Sequence, residues 1–254
     1  MSNCFLKLNE EKTNFLLIAA NNDLHAIYPD LCISFSGNLI EPSLNAINLG
    51  VTFDSSMILD ANGNNIVSKG YAQLSSFRRA ASRPTIKNKL QLVSAFILPL
   101  IDYCNITLLA TSKSNINILQ KLLNSAVRFV YSLTSLGNRY RYSVTPYVKK
   151  LHILPVEYRV KYKVSLLVYK CFQGLAPVYI QELLAERLTF SHPRSSNDLY
   201  SLQTVIPNSH YGENSFSYAA PLTWNASPLD VKSWPSLDCF KKRLKTHYFT
   251  QFYG

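Results

Sequence analysis

Phosphoryl chemistry through two metal ions needs carboxylates gathered on one side of a site. This sequence spreads its acids thinly. Residues 61–170 contain only Asp102 and Glu157, and the seven acids of residues 1–60 follow no paired spacing. No two aspartates are adjacent anywhere. A nucleophilic triad needs Ser or Cys, His and an acid in register. The five histidines (His25, His152, His192, His210, His247) are scattered, and no G-x-S-x-G turn occurs. Neither a P-loop nor a G-x-G-x-x-G fingerprint is present. His152, between apolar residues, reads as a core or edge histidine. Cys4, Cys32, Cys104, Cys171 and Cys239 show no C-x-x-C spacing. That argues against a zinc centre and for free, buried or half-buried thiols in a reducing, intracellular compartment. From the residues alone, no catalytic set is complete and no metal ligand set is expected.

The positive signal is cationic. The chain of 254 residues carries a formal charge of +11, and its distribution is uneven. Residues 1–60 hold two basic residues against seven acids, residues 61–170 seventeen against two, and residues 171–254 seven against six. Arg78, Arg79, Arg83, Lys87 and Lys89 lie close together, followed by Lys121, Arg128, Arg139, Arg141, Lys149, Lys150, Arg159, Lys163 and Lys170. Aromatics (Phe77, Tyr140, Tyr142, Tyr147, Tyr158, Tyr162) are interleaved. Cations and rings on helices suit a sequence-independent hold on a phosphate backbone. Charge alone leaves an acidic protein or an anionic membrane surface open as partners, and a merely solvated charged face as well.

Residues 1–60 have the period of strands. Asn14–Ala20 is a short apolar run. Leu31–Phe35 alternates and is followed by the turn signal Ser36-Gly37-Asn38, so a strand from Leu39 completes a hairpin. Asn48–Asp54 reads as another strand, with Gly50 marking a bulge or close approach. A three- or four-stranded antiparallel patch is expected, too small to supply its own partner layer. Met1 accordingly reads as an arbitrary start within a domain. Met1–Phe15 lacks the pattern of a signal peptide.

From residue 61 the period becomes 3.6. A helix over about Asn64–Ser82 puts Ile66, Tyr71, Leu74 and Phe77 near one side, although Gly70 weakens it. Thr85 is an N-cap for a helix with Leu90, Val93, Ile97 and Ile101 inward, which Pro99 kinks or splits. Leu92–Ala110 is the longest apolar stretch. Pro99, Asp102 and Asn105 interrupt it, as suits a core helix rather than a membrane span. Ser112 or Ser114 opens a helix striped by Leu119, Leu122, Leu123, Ala126, Val127 and Val130. A loop with Gly137 and the run Asn138–Tyr142 follows. Val144–Leu151 is a short helix. Pro155 starts the next, which turns Val156, Val160, Val164, Leu167, Val168 and Cys171 inward, leaves Arg159, Lys163 and Lys170 in a strip at the edge, and stops at Gly174. Ala176–Leu188 is helical. Residues 190–230 read as loop and strand, with Leu199–Pro207 a strand. A final helix over about Ser236–Phe249 buries Leu237, Phe240 and Leu244 and surrounds them with Lys241, Lys242, Arg243 and Lys245.

The phrases FLKLNEEKTNFLLI (Phe5–Ile18), NLGVTFD (Asn48–Asp54), LVSAFILPLIDYCN (Leu92–Asn105) and LQKLLNSAVRFV (Leu119–Val130) occur in this order. TPYVKKLHILPVEYRVKYKVSLLVYKCFQGLAPVYIQELL (Thr145–Leu184), RSSNDLYSLQTVIP (Arg194–Pro207), YGENSFSYAAPLTWNASP (Tyr211–Pro228) and FKKRLKTHYF (Phe240–Phe249) continue it. Their succession resembles the C-terminal half of reverse transcriptases from non-LTR (LINE-type, jockey-like) retrotransposons, over nearly the whole chain. The resemblance implies an α+β, mainly α fold in three parts. Residues 1–60 would be a partial palm, with a motif D-like segment and a primer-grip-like hairpin. Residues 61–188 would be a helical thumb-like domain, and residues 189–254 a mixed C-terminal extension with a terminal basic helix. Lys12 matches the family's motif lysine, and Leu49, Gly50 and Val51 match its primer grip. Arg78, Arg79, Arg83, Lys87, Lys89, Lys121, Arg128, Arg159, Lys163 and Lys170 would face nucleic acid.

The family's Y/F-x-D-D strand would lie before Met1, so the divalent metal (Mg) of the parent enzymes has no expected place here. The family's endonuclease and a Cys/His knuckle are likewise not in this sequence. The expectation is a template–primer grip without polymerisation. Its partners would be an RNA–DNA or other nucleic-acid duplex and an upstream polymerase portion, with no membrane. The alternative is a helical protein-interaction piece, or a structural remnant of a decayed element, with no activity.

Overall fold

The computed structural model describes residues 9, 12–18, 31–35, 37–80, 84–133, 143–185, 201–204, 206–207, 210–213, 215–233 and 235–254. The fold is mainly helical with a small β portion, as expected. Strands β1 (Phe15–Leu16), β2 (Ile33–Phe35), β3 (Asn38–Ile40), β4 (Pro42–Ser43), β5 (Asn45–Asn48) and β6 (Val51–Asp54) come first. They do not make the single antiparallel patch that their alternation suggests. They form three two-stranded ladders: β2–β3 and β5–β6 antiparallel, β1–β4 parallel. Each run is only two to four residues long, and tight turns at Gly37 and at Leu49-Gly50 return β2 to β3 and β5 to β6. The expected hairpin at residues 31–40 is present, with Ile33 opposite Ile40. Asn48–Asp54 is not one strand but the end of β5, a turn and β6.

Helix α1 (Asp60–Ala80) follows, beginning four residues earlier than its period predicts. Thr85 caps α2 (Ile86–Leu92), accepting the Asn88 N–H. A π-helical turn (Val93–Ile97) then leads into α3 (Leu98–Asp102). The Leu98 N–H reaches back to the Val93 carbonyl. Pro99 has no N–H to continue the ladder, and the wide turn absorbs it without breaking the rod. A 3₁₀ helix (Asn105–Ala110) precedes α4 (Lys113–Val130), whose N-cap Ser112 accepts the Asn115 N–H. Next come α5 (Thr145–Lys150), α6 (Val156–Phe172) and α7 (Val178–Ala185). Gly174 at φ +66 ends α6, with Leu175 N–H on the Lys170 carbonyl and Gly174 N–H on that of Cys171. This is a Schellman stop.

Residues 210–232, expected as loop and strand, contain α8 (His210–Glu213), α9 (Phe216–Asn225) and α10 (Leu229–Lys232). The Ser, Asn and Pro content misleads there. Pro221 is tolerated inside α9, and burial of Trp224 at 1% exposure decides the conformation. The expected strand Leu199–Pro207 has no strand among its described residues. Residues 201–204 are instead pinned by Asn225, whose amide donates to the Leu202 carbonyl while its oxygen accepts the Leu202 N–H. Buried Lys232 donates to the Asn225 carbonyl at the end of α9, and burial pushes its ammonium pKa down. Helix α11 (Leu237–Tyr253), capped by Ser236, completes the fold.

The core runs through α1, the π turn, α3, α4, α6, α9 and α11. The predicted stripe of α4 is wholly buried, as are Val93, Ile97 and Ile101. Tyr169 stacks on Phe240 at 4.0 Å. Half-buried Cys171 fits the expectation of buried or half-buried thiols, whereas Cys32, Cys104 and Cys239 are exposed and correct it. Cys104 occupies a left-handed corner between α3 and the 3₁₀ helix, where no core is available to cover it. Among the described residues no helix is long and apolar enough to cross a membrane.

Helices α1 and α4 meet at two glycines. A Cβ on Gly70 would lie 2.5 Å from a Leu122 methyl, and one on Gly63 would lie 2.1 Å from the Asn115 amide. Asn115 is buried there and donates to Thr111 Oγ1 (2.6 Å) and to the Leu59 carbonyl (3.4 Å). Gly63→Ala is therefore expected to destabilise by about 2 kcal/mol through overpacking and lost hydrogen bonds, outweighing the helix propensity of Ala. In an Asn115→Ala background the same change should become neutral or stabilising. Urea unfolding of the four-member cycle tests this. A Gly63→Ala cost unaltered by Asn115→Ala would refute the packing argument.

Candidate nucleic-acid interface

The β5–β6 hairpin turns at Leu49 (φ +47) and Gly50 (φ +81), the two left-handed positions of a type I′ turn. Glycine fits its position, but leucine costs about 1 kcal/mol there. The turn is held by the Tyr103 hydroxyl, which donates to the Leu49 carbonyl at 2.6 Å. It is also held from α1. Asn62 Oδ1 accepts the Thr52 N–H (3.2 Å), and the Asn65 amide donates to Thr52 Oγ1 (3.0 Å). Leu49 itself is 84% exposed.

Below this turn lies an open groove of about 410 Å³ between α1 and the α2–π–α3 rod. Gly50 and Val51 form its end. Asn65, Lys69 and Gln73 line the α1 side, and Phe96, Pro99 and Tyr103 the other. Among the described residues no acidic one lines it. Asn65, Lys69 and Gln73 recur every four residues, so they form one ridge of α1. Beyond this ridge, the Arg79 guanidinium folds back onto the hydroxyls of Ser75 and Ser76. From Asn65 to Arg79 the helix rises about 21 Å. On the facing side the π turn presents Phe96, half exposed, edge-on to Phe77. Phe77 also meets Phe129, over which Lys89 lies while donating to Ser132.

The structure sorts the expected cations into several places. Arg79 closes α1, and exposed Lys87 and the ring-stacked Lys89 lie in α2, toward the ends of these helices remote from the hairpin; none of the three lines the groove. Arg78 is exposed, but at 100° per residue it falls on the flank of α1 opposite the ridge. Lys121 is exposed on α4, and Lys163 and Lys170 are half-buried on α6, away from the groove residues. Arg128 faces a different cleft. Lys12 is exposed in a single turn bonded to Asn9 and meets none of the groove residues. Arg83, Arg139, Arg141 and Arg194-Ser195-Ser196 lie outside the described residues. Lys69, Asn65 and Gln73 were missed by sequence reasoning. Their four-residue spacing was a visible signal, but nothing in the sequence says that this ridge faces a groove.

Arg159 is corrected. It is not an open cation in a strip with Lys163 and Lys170. Its guanidinium grips both carboxylate oxygens of Asp102, with Nε donating to Oδ1 at 2.8 Å, and its side chain is only 16% exposed. The pair joins the end of α3 to α6. Asp102 was read only as an interruption of an apolar run, and its long-range partner was not visible. Asp54 Oδ1 accepts from Ser56 and the Ile58 N–H, and Asp60 accepts from Thr111 and Ser112, 51 and 52 residues on. Among the described residues no three of His, Cys, Asp and Glu converge. The divalent metal implied by the resemblance therefore finds no ligand set there, and no step is derived through it.

Two substitutions separate structural roles from binding ones. Asp102→Asn should cost about 1–3 kcal/mol in urea unfolding, the range for breaking a half-buried charge-assisted pair. A cost near zero would return Arg159 to the surface cations. Leu49→Asn should raise stability by about 0.5–1 kcal/mol by relieving the left-handed leucine. A loss of stability would show that the leucine side chain is needed for folding. No family model, curated protein or solved structure matches the chain.

Proposed function

We propose that this chain grips a template–primer duplex, as the end-of-palm, thumb and C-terminal part of a non-LTR retrotransposon reverse transcriptase would. The observation that carries the reading is the acid-free groove between α1 and the α2–π–α3 rod, with the hairpin of Leu49, Gly50 and Val51 at one end. Arg79, at the end of α1, and Lys87 and Lys89, in α2, lie beyond its lining, toward the helix ends remote from the hairpin. Amides and one lysine along the ridge suit contacts to phosphate and sugar, which position a strand without reading its sequence. The exposed Phe96 and Tyr103 rings suit packing against sugar or an end base.

The proposed grip holds and does not extend, because the described residues gather no carboxylate set for the metal ions of polymerisation. The exposed aliphatic residues of the β portion (Ile33, Leu39, Leu44, Ile47) fit the same reading. They would seat the remaining polymerase portion in a reducing, intracellular compartment.

An RNA–DNA hybrid should bind tightly at low salt and lose affinity steeply as salt rises, whatever its base sequence. Lys69→Gln, Arg79→Gln and Lys87→Gln together should flatten the log–log salt slope by about 2–3, close to one per phosphate contact. Fluorescence anisotropy titrations at several salt concentrations give the slope. A purified chain that ignores the hybrid at low salt, or a slope that the triple variant leaves unchanged, defeats the proposal.

A further inference from the structure

A second cleft, of about 620 Å³, opens where α4, the starts of α5 and α6 and the end of α11 meet. One wall is polar. Asn117, Gln120, Asn124 and Arg128 follow at helical spacing along α4. Gln120 is consumed by the fold, accepting the Val156 N–H at 2.9 Å and donating to Asn124 Oδ1 at 3.0 Å. That bond fixes the orientation of Asn124, whose own amide donors have no partner among the described residues. The guanidinium of Arg128, half-buried in the same wall, also forms no ion pair or hydrogen bond with a described residue. The other wall is aromatic. Tyr158 meets Phe252 edge-on at 5.4 Å, and Phe252 meets Tyr253 at 4.7 Å. The one acid on the rim, Glu157, is neutralised by Lys161 at 2.7 Å.

A ligand matched to this cleft needs a flat ring for the aromatic wall, acceptors for the Asn124 amide and an anion for Arg128. We infer that the cleft holds an unpaired nucleotide, with its base on the Tyr158–Phe252 wall and its phosphate on Arg128. The inference rests on the duplex-grip reading and deepens it. A strand leaving the duplex would be caught on a face of α4 separate from the groove. The volume lies within the usual range for small-ligand sites. Arginine with exposed rings is the usual equipment for single strands. A free nucleotide offers the same chemistry, so the test includes both sources.

A hybrid of about twelve base pairs is compared blunt and with an RNA overhang of about three nucleotides, and 5′-AMP is titrated separately by NMR. The overhang should tighten binding about tenfold. Arg128→Glu, Asn124→Asp and Phe252→Ala should each reduce that gain to about twofold or less. Blunt-hybrid affinity and far-UV circular dichroism should stay unchanged for Asn124→Asp and Phe252→Ala. Saturable 5′-AMP binding that Phe252→Ala removes supports the cleft even if no hybrid binds, in which case only the duplex grip fails. Blunt hybrid bound with neither an overhang gain nor 5′-AMP binding sinks the cleft and spares the grip. A gain that survives all three variants, or polyglutamate displacing 5′-AMP from the cleft, also overturns it.

Discussion

The close approach of α1 and α4 governs this structure. Two glycines one heptad apart, Gly63 and Gly70, remove the side chains that would hold the helices at the usual 8–10 Å separation. The space is filled by Leu122 at one end and by the buried amide of Asn115 at the other. The Asn115 amide group donates to Thr111 and the Leu59 carbonyl, and Asp60 bonds to Thr111 and Ser112 at the same corner. The polar corner and the glycine seam therefore position α1 against the bundle in one register.

That register decides what α1 shows on its remaining surface. With Gly63, Gly70 and Leu74 turned to α4, the ridge of Asn65, Lys69 and Gln73 faces the α2–π–α3 rod. The groove between them is completed by two further devices. The π turn carries Phe96 to the surface without ending the helix at Pro99. The Tyr103 hydroxyl and Asn62 fasten the β5–β6 hairpin over the groove's end, holding Leu49 in a left-handed conformation that an isolated hairpin would avoid. On the other side of the rod, Asp102 binds Arg159 and ties α3 to α6.

Much of the helical portion was legible in the sequence, and the reasons are local. Thr85, Ser112 and Ser236 are N-caps because a side-chain oxygen meets an N–H a few residues on. Gly174 ends α6 because it accepts a left-handed φ. The stripe of α4 is buried because its period matches the helix. The misreadings also have physical causes. Residues 216–225 look like a loop by composition, yet a single tryptophan in the core outweighs the weak propensities of its neighbours. Alternation in residues 31–54 announces strands, but the pairing partner of a two- to four-residue strand depends on turns and long-range contacts. Gly70 reads as a weakness of α1 in isolation and is the seam of the bundle in the folded chain.

The candidate site divides along the same line. The sequence by itself determined the sign and density of the charge in residues 61–170, the placement of most cations on helices, and the lack of a paired-carboxylate motif, since these depend only on residue type and local spacing. Only the tertiary structure decided which cations share a surface. It put the missed Lys69 inside a groove that Arg79 and Lys89 do not line, turned Arg128 into a second cleft, and closed Arg159 onto Asp102. The reason is distance along the chain. Partners 57 residues apart, such as Arg159 and Asp102, meet only after the helices have packed, and no periodicity within either helix records that meeting.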